Sequence, residues 1–378
     1  MNMTSEIENP FVTVGYMGEK YFCDRKTETE EIIKRLRNGN NLALISPRRM
    51  GKSGLIWHCF DNREIREIFY TFYVDIYATL TIDEFIVALG KEIVGRLKSK
   101  GEKALERFVR TVSSLSPGIS FDTLGNPTLT LLPGEVRNSD VTIDEIFRYL
   151  EEANRPCIVA IDEFQQITEY PQKNTEALLR THIQKCRNSR FIFAGSRRHT
   201  MGEIFLSGAR PFYQSVSMMN LGCIDRQAYF DFAEKHFEEG GRKIPRDIFD
   251  GIYDRYDGVT WYIQKMLNTI YMNTWKGETV SPEMAEYARK EIIDGFSYIY
   301  LDTLCRLTVK QKEVLVAIAR AGKAKGVTST KFIKDNALSG ASSVQSALKW
   351  LLRNDFVSTD GDCWYVYDYF FADWLRTL

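Results

Sequence analysis

The run Ser46-Pro47-Arg48-Arg49-Met50-Gly51-Lys52-Ser53 follows a short apolar stretch, Asn41 to Ile45, and leads into helical spacing through Trp57 and Phe60. It fits G-x-x-x-x-G-K-[ST] with serine at the first glycine, and a strand before and a helix after is the setting in which this pattern cradles phosphates. Backbone N–H groups and the helix N-terminus would hold the anion, Lys52 would reach the β and γ phosphates, and the Ser53 hydroxyl would bind magnesium. The expected nucleotide contacts are therefore Pro47, Arg48, Arg49, Met50, Gly51, Lys52, Ser53 and Gly54.

About a hundred residues on, Cys157-Ile158-Val159-Ala160-Ile161 is an apolar strand ending in two acids, Asp162 and Glu163. Asp162 is placed to hold magnesium through water, and Glu163 to polarise an attacking water as general base. A third apolar run, Phe191 to Ala194, ends at Gly195-Ser196. Ser196 there is either a polar group reporting on the γ phosphate or a cap for the following helix. Arg197, Arg198 and Arg210 follow, and an arginine can offset charge developing on a transferred phosphoryl group. Arg210 is the leading choice, from its place in Arg210-Pro211-Phe212-Tyr213; Asp75, ending the second strand, shares the same edge. The four histidines show no metal-ligand spacing.

Strands must carry these residues to one edge, and the apolar pattern supplies them. Phe69 to Ile76 is rich in aromatic and β-branched residues, and from Thr81 the spacing of Phe85, Leu89, Ile93 and Leu97 turns helical. Asp144 to Glu152 and Thr175 to Cys186 read as helices between the later strands. This alternation predicts an α/β fold with a parallel sheet covered on both faces. Residues 111–140 break the rhythm with prolines and glycines, as an inserted hairpin or loop would. The expected division is a P-loop domain over 1–222, a small helical domain over 223–300 and a winged helix over 301–378. The helical domain rests on amphipathic helices at 225–238, 245–255, 259–275 and 281–297. The winged helix rests on helices over 310–321, 328–335 and 339–353, then a hairpin turning at Asp360-Gly361-Asp362.

Lysine plus arginine and aspartate plus glutamate both total 50 over 378 residues, so no global basic charge draws the chain to nucleic acid or to an anionic membrane. Seven scattered cysteines without C-x-x-C spacing suit a reducing cytosol. The N-terminal residues lack both a basic start and an apolar core, and no apolar run approaches a membrane span, so a cytoplasmic location is expected.

At these residues the chain resembles the archaeal-type P-loop ATPases of the STAND and AAA+ kind, which also occur in bacteria. Cys23-Asp24-Arg25-Lys26-Thr27-Glu28 looks like the family's GRexE lead-in, Ser46 to Leu55 like its GPRRvGKTsL loop, Asp162-Glu163-Phe164-Gln165 like its iDEfQ strand end, and Ala194-Gly195-Ser196 like its GS strand end. Cys23 replaces the lead-in glycine, and Gly258-Val259-Thr260 stands where the lid has G-x-P. The resemblance implies an AAA+-like core, ATP and Mg2+ as ligands, an adenine-side contact from the segment Phe11 to Arg25 including Asp24 and Arg25, a helical lid and a C-terminal winged helix. The leading expectation is an ATPase switch acting on a protein partner, within an oligomer or alone. The alternative is a DNA-binding regulator in which nucleotide is only sensed. Its recognition helix, Ser339 to Arg353, offers Ser342, Ser343, Gln345, Ser346, Lys349 and Arg353, of which only two are basic. The aromatic cluster from Trp364 to Trp374 instead suits a buried packing surface.

Overall fold

The computed structural model of the protein describes residues 8–98, 106, 115–121, 127–136 and 139–378. The chain divides into two compact units. One runs Val14–Tyr229, and the other combines the N-terminal residues up to Thr13 with Phe230–Leu378.

The first unit is built on a five-stranded sheet: β1 (Leu42–Ile45), β2 (Tyr70–Asp75), β5 (Cys157–Asp162), β6 (Ser189–Gly195) and β7 (Ser217–Asn220), in the order β2-β5-β6-β1-β7. Every pairing is parallel. β1 and β5 are buried along their whole length, because parallel strands with helices on both faces have no solvent side and so read as unbroken apolar runs. β7 carries no such run: it is a four-residue edge strand, Ser-Met-Met-Asn, half exposed, and its sequence does not announce it.

Around the sheet lie α1 (Lys26–Arg37), α2 (Lys52–Asp61), α3 (Arg63–Ile68), α4 (Ile82–Lys98), α5 (Ser139–Glu152), α6 (Thr175–Lys185) and α7 (Arg198–Leu206). One face of the sheet is filled by Phe164, Phe193, Phe205 and Phe212, whose ring centroids are 4.5–5.8 Å apart. Packing of that density resists loss of a ring by about 3–5 kcal/mol. Between α4 and α5 the strands β3 (Leu115–Phe121) and β4 (Pro127–Val136) pair antiparallel, with an irregularity between Leu115 and Pro117. Of the hairpin or loop expected over 111–140, residues 111–114, 122–126 and 137–138 lie outside the described residues.

The second unit is helical. It contains α8 (Arg226–Glu239, continuing from the first unit), α9 (Arg246–Arg255), α10 (Thr260–Met272) and the 24-residue α11 (Pro282–Cys305), which has Ser281 as N-cap and Pro at its first position. α12 (Val309–Ala321) opens with a Thr308/Gln311 capping box, and α13 (Thr330–Asp335) and α14 (Ala341–Arg353) follow. Strands β8 (Ala324–Lys325), β9 (Val357–Asp360) and β10 (Cys363–Val366) form an antiparallel sheet in the order β8-β10-β9, with Gly361 at φ 59° in the turn. Three helices and a small antiparallel sheet make the winged helix.

A last helix, α15 (Tyr369–Leu375), capped by Asp368, was not legible as a helix in the aromatic cluster that contains it. Phe370 packs on Tyr256 and Tyr262, and Phe371 on Tyr300, so those rings are core of this unit. The N-terminal segment also belongs here. Phe11 is fully buried against Phe237 and Tyr271, Asn268 donates to the Phe11 carbonyl at 2.8 Å, and Asn9 donates to the Asn268 carbonyl at 2.9 Å. The ring of Phe11 therefore packs against α8 and α10.

Candidate active site

The parallel register brings the chemistry-bearing residues to the C-terminal edge of the sheet: Asp75 is opposite Asp162, and Ile45 opposite Gly195. The ladder continues one step into the loop after β1, where the Ser46 N–H donates to the Gly195 carbonyl at 3.3 Å. Ser46 is fully buried and is not among the positive-φ residues, so its position does not require glycine. Left-handed conformations fall instead on Arg49, φ 70°, and Gly51, φ 90°, directly before α2. An arginine held there costs about 1 kcal/mol or more, the kind of strain found in ligand loops whose N–H groups turn inward.

Lys52 begins α2 and is 6 % exposed. Its ammonium donates to the carbonyls of Ser46 at 3.2 Å and Pro47 at 3.3 Å, and to the Ser46 hydroxyl at 3.5 Å. Burial pushes its pKa down and neighbouring Arg48 adds to this, while Asp162 and Glu163 oppose it. A buried cation whose hydrogen-bond partners are neutral oxygens can seat an anion, because phosphate oxygens would return the charge balance that burial removes.

Ser53, one residue on, donates its hydroxyl to Asp162 Oδ2 at 2.7 Å, closing a gap of 109 residues in sequence. The same carboxylate oxygen accepts the Tyr73 hydroxyl from β2, and Asp162 Oδ1 accepts the Glu163 N–H at 2.9 Å. Glu163 leaves the strand in a left-handed conformation, φ 56°, and heads a 3-10 turn over Phe164–Glu169. That turn swings its carboxylate toward the end of β6. There the Ser196 hydroxyl donates to Glu163 Oε2 at 2.8 Å, and the Gln165 amide donates to the same oxygen.

Gln165 is a residue that the reading of single motifs missed, although it stands in the Asp-Glu-x-Gln run. It is 4 % exposed, and its amide nitrogen lies 3.5 Å from Ser196 Oγ, so it ties the two candidate functional groups together. Gly195 makes room for it: a Cβ there would sit 2.6 Å from Gln165 Oε1 and 2.4 Å from Met201 Sδ.

The remaining expected residues are dispersed. Arg48 lies over the Tyr77 ring at 5.5 Å, and Gly54 faces the Phe22 ring, which stacks on His58 at 4.3 Å. Met50 is buried, and its carbonyl accepts from Arg25 at 3.3 Å. Arg25 also donates to the Gly222 carbonyl at 2.8 Å and pairs with Glu28 at 2.8 Å, so its guanidinium braces the phosphate loop's backbone. Asp24 and Arg25 both adopt positive φ ahead of α1. Arg210 is paired with Glu176 of α6 at 2.5 Å, and Arg197 with Glu169 at 3.2 Å. Asp75 has its carboxyl pKa raised by burial, with Asp162 and Glu163 adding to the rise, so three acids crowd this edge.

This sheet order, phosphate loop and acidic strand end define a P-loop nucleoside-triphosphatase fold with a C-terminal winged helix. The chain belongs to the family of ATPase domains found predominantly in Archaea, which matches residues 22–266; a second family, described as a "probable winged helix domain", matches residues 298–377. Among solved structures the chain is similar to a Walker-type ATPase of Pyrococcus abyssi, with 19 % identity, TM-score 0.66, and 97 % of this chain and 99 % of that one covered. It is also similar to the ORC2 protein of Aeropyrum pernix, at 15 % identity and TM-score 0.60 over 97 % and 95 %. The ORC1 protein of the same organism follows at 13 % and 0.51 over 97 % and 93 %. At these identities the likeness is one of fold. No curated protein matches the chain. Among the described residues no helix is long and apolar enough to cross a membrane.

Proposed function

We propose that this chain binds Mg2+-ATP and hydrolyses it to ADP and phosphate, and that the two nucleotide states set the surfaces its winged helix presents. The observation that carries the reading is the buried Lys52 ammonium beside the Ser53 to Asp162 hydrogen bond, at the end of a phosphate loop. Among the described residues no group of three or more His, Cys, Asp or Glu could hold a metal alone. A hydroxyl and one carboxylate suit Mg2+, which usually completes its shell with phosphate oxygens and water. Ser53 and Asp162 would hold it, and the ion when bound would neutralise charge on the phosphate oxygens.

Hydrolysis in this reading is an in-line attack of water on the γ phosphorus. Glu163 takes the water's proton, the bond to the β-phosphate oxygen breaks, and ADP leaves with that oxygen's charge. Ser196 and Gln165, which donate to Glu163, orient the base. Arg48, Arg49 and the first turn of α2 contribute positive potential to the phosphates.

The test is nucleotide binding by the wild type and by Lys52→Ala. Loss of a charge-assisted contact of about 1.5–3 kcal/mol predicts affinity for Mg2+-ATP weakened by roughly 10- to 100-fold. No saturable ATP binding by the wild type would end the proposal.

A second reading, DNA contact by the winged helix, is favoured by the exposure of Ser342, Gln345, Ser346, Lys349 and Arg353 along one face of α14. The ORC1 neighbour is described in complex with DNA. Two cations meeting phosphates predict a slope of about −2 for log affinity against log salt. A salt-independent affinity measured by fluorescence anisotropy would remove this reading.

A further inference from the structure

β2 sends alternate side chains to its two faces, and Phe72 and Val74 fill the core on one of them. Tyr73 takes the other face, where its ring lies 5.1 Å from Trp57 of α2, and Arg96 of α4 lies over Trp57 at 5.8 Å. Phenylalanine would fill this place equally well. The hydroxyl is the part that packing does not explain, and it is directed at Asp162 Oδ2.

That oxygen already accepts the Ser53 hydroxyl at 2.7 Å, while Oδ1 is occupied by the Glu163 N–H at 2.9 Å. Both oxygens of Asp162 are therefore held, and the plane of the carboxylate is set by three donors from three elements: β2, α2 and the turn after β5. The same edge carries Asp75 opposite Asp162 in the sheet register, with Glu163 beside it. Carboxylates so close repel one another, and a donor fixed on a neighbouring strand opposes that repulsion without adding charge.

We propose that Tyr73 is a positioning residue for the cation: its hydroxyl orients Asp162 for the magnesium that accompanies the nucleotide phosphates. This rests on the proposed nucleotide reading and adds to it a residue that touches neither nucleotide nor metal. Partners that orient a metal ligand typically contribute 10- to 100-fold in metal affinity when removed.

The experiment is a titration of the full chain with a fluorescent ADP analogue, in saturating MgCl2 and in EDTA, for the wild type and Tyr73→Phe. Tyr73→Phe is expected to weaken binding in MgCl2 by about 10-fold or more while leaving binding in EDTA unchanged. In an Asp162→Asn background the same substitution is expected to have no further effect, because the group it orients is gone. Equal affinities of wild type and Tyr73→Phe in MgCl2, or equal losses in MgCl2 and EDTA, would overturn the inference while the nucleotide reading stands. A wild type whose binding is blind to MgCl2 would overturn it as well. A wild type that binds no nucleotide at all would overturn both.

Discussion

Glu163→Gln is expected to bind Mg2+-ATP as the wild type does and to release phosphate about 10²- to 10⁴-fold more slowly, the usual contribution of a positioned general base. The substitution keeps the shape of the side chain and its left-handed turn after β5, and a carboxamide oxygen still accepts the Ser196 hydroxyl that now donates at 2.8 Å. What it loses is the ability to take a proton from water. Binding and turnover should therefore separate, with the phosphate seat around Lys52 untouched. Nucleotide affinity and single-turnover phosphate release on the same preparation check this. Turnover within about threefold of the wild type, well short of a general base's contribution, would mean that the base lies elsewhere at this edge.

Asp373→Ala is expected to destabilise the helical unit by about 3 kcal/mol, through a buried carboxylate that joins two other helices to the end of its own. Asp373 on α15 has 2 % of its side chain exposed; Arg289 of α11 reaches it at 3.2 Å, Arg376 at 2.6 Å and Arg255 of α9 at 3.7 Å. Arg255 and Arg376 are 48 % and 39 % exposed, so water screens their share. Most of the loss falls on Arg289, 17 % exposed, which keeps Glu286 at 2.5 Å as its counter-ion among the described residues. For a unit of this size the loss corresponds to a fall in melting temperature of roughly 6–12 °C, read by calorimetry. A shift below about 1 °C, equivalent to a few tenths of a kcal/mol, would show that the cluster only orders the helices it joins.

Much of the site was legible because its signals are local. The Gly51-Lys52-Ser53 run needs only a strand before it and a helix after it, and Cys157 to Ile161 is apolar because a central parallel strand has no wet face. Gln165 stood in a motif and its bond to Glu163 is local, yet the meeting of both residues with Ser196 depends on β5 and β6 being neighbours, and the room for the Gln165 side chain on the absence of a Cβ at Gly195. Tyr73 gave no signal, since an aromatic residue in a strand is ordinary core composition. β7 and α15 were passed over for opposite reasons: one is too polar to read as a strand, the other too aromatic to show a helical period.

The amino-acid sequence by itself determined the kinds of chemistry present and the order of the elements that carry them, because hydrophobic period, capping residues and the phosphate-loop pattern act over a few residues. The tertiary structure alone decided which groups meet: Ser53 with Asp162, Tyr73 with the same oxygen, Glu163 with Ser196, and Asp373 with its three arginines. Such pairings follow from strand order and helix packing. These depend on which buried surfaces fit together across tens to hundreds of residues of chain, a property that no short stretch of sequence contains.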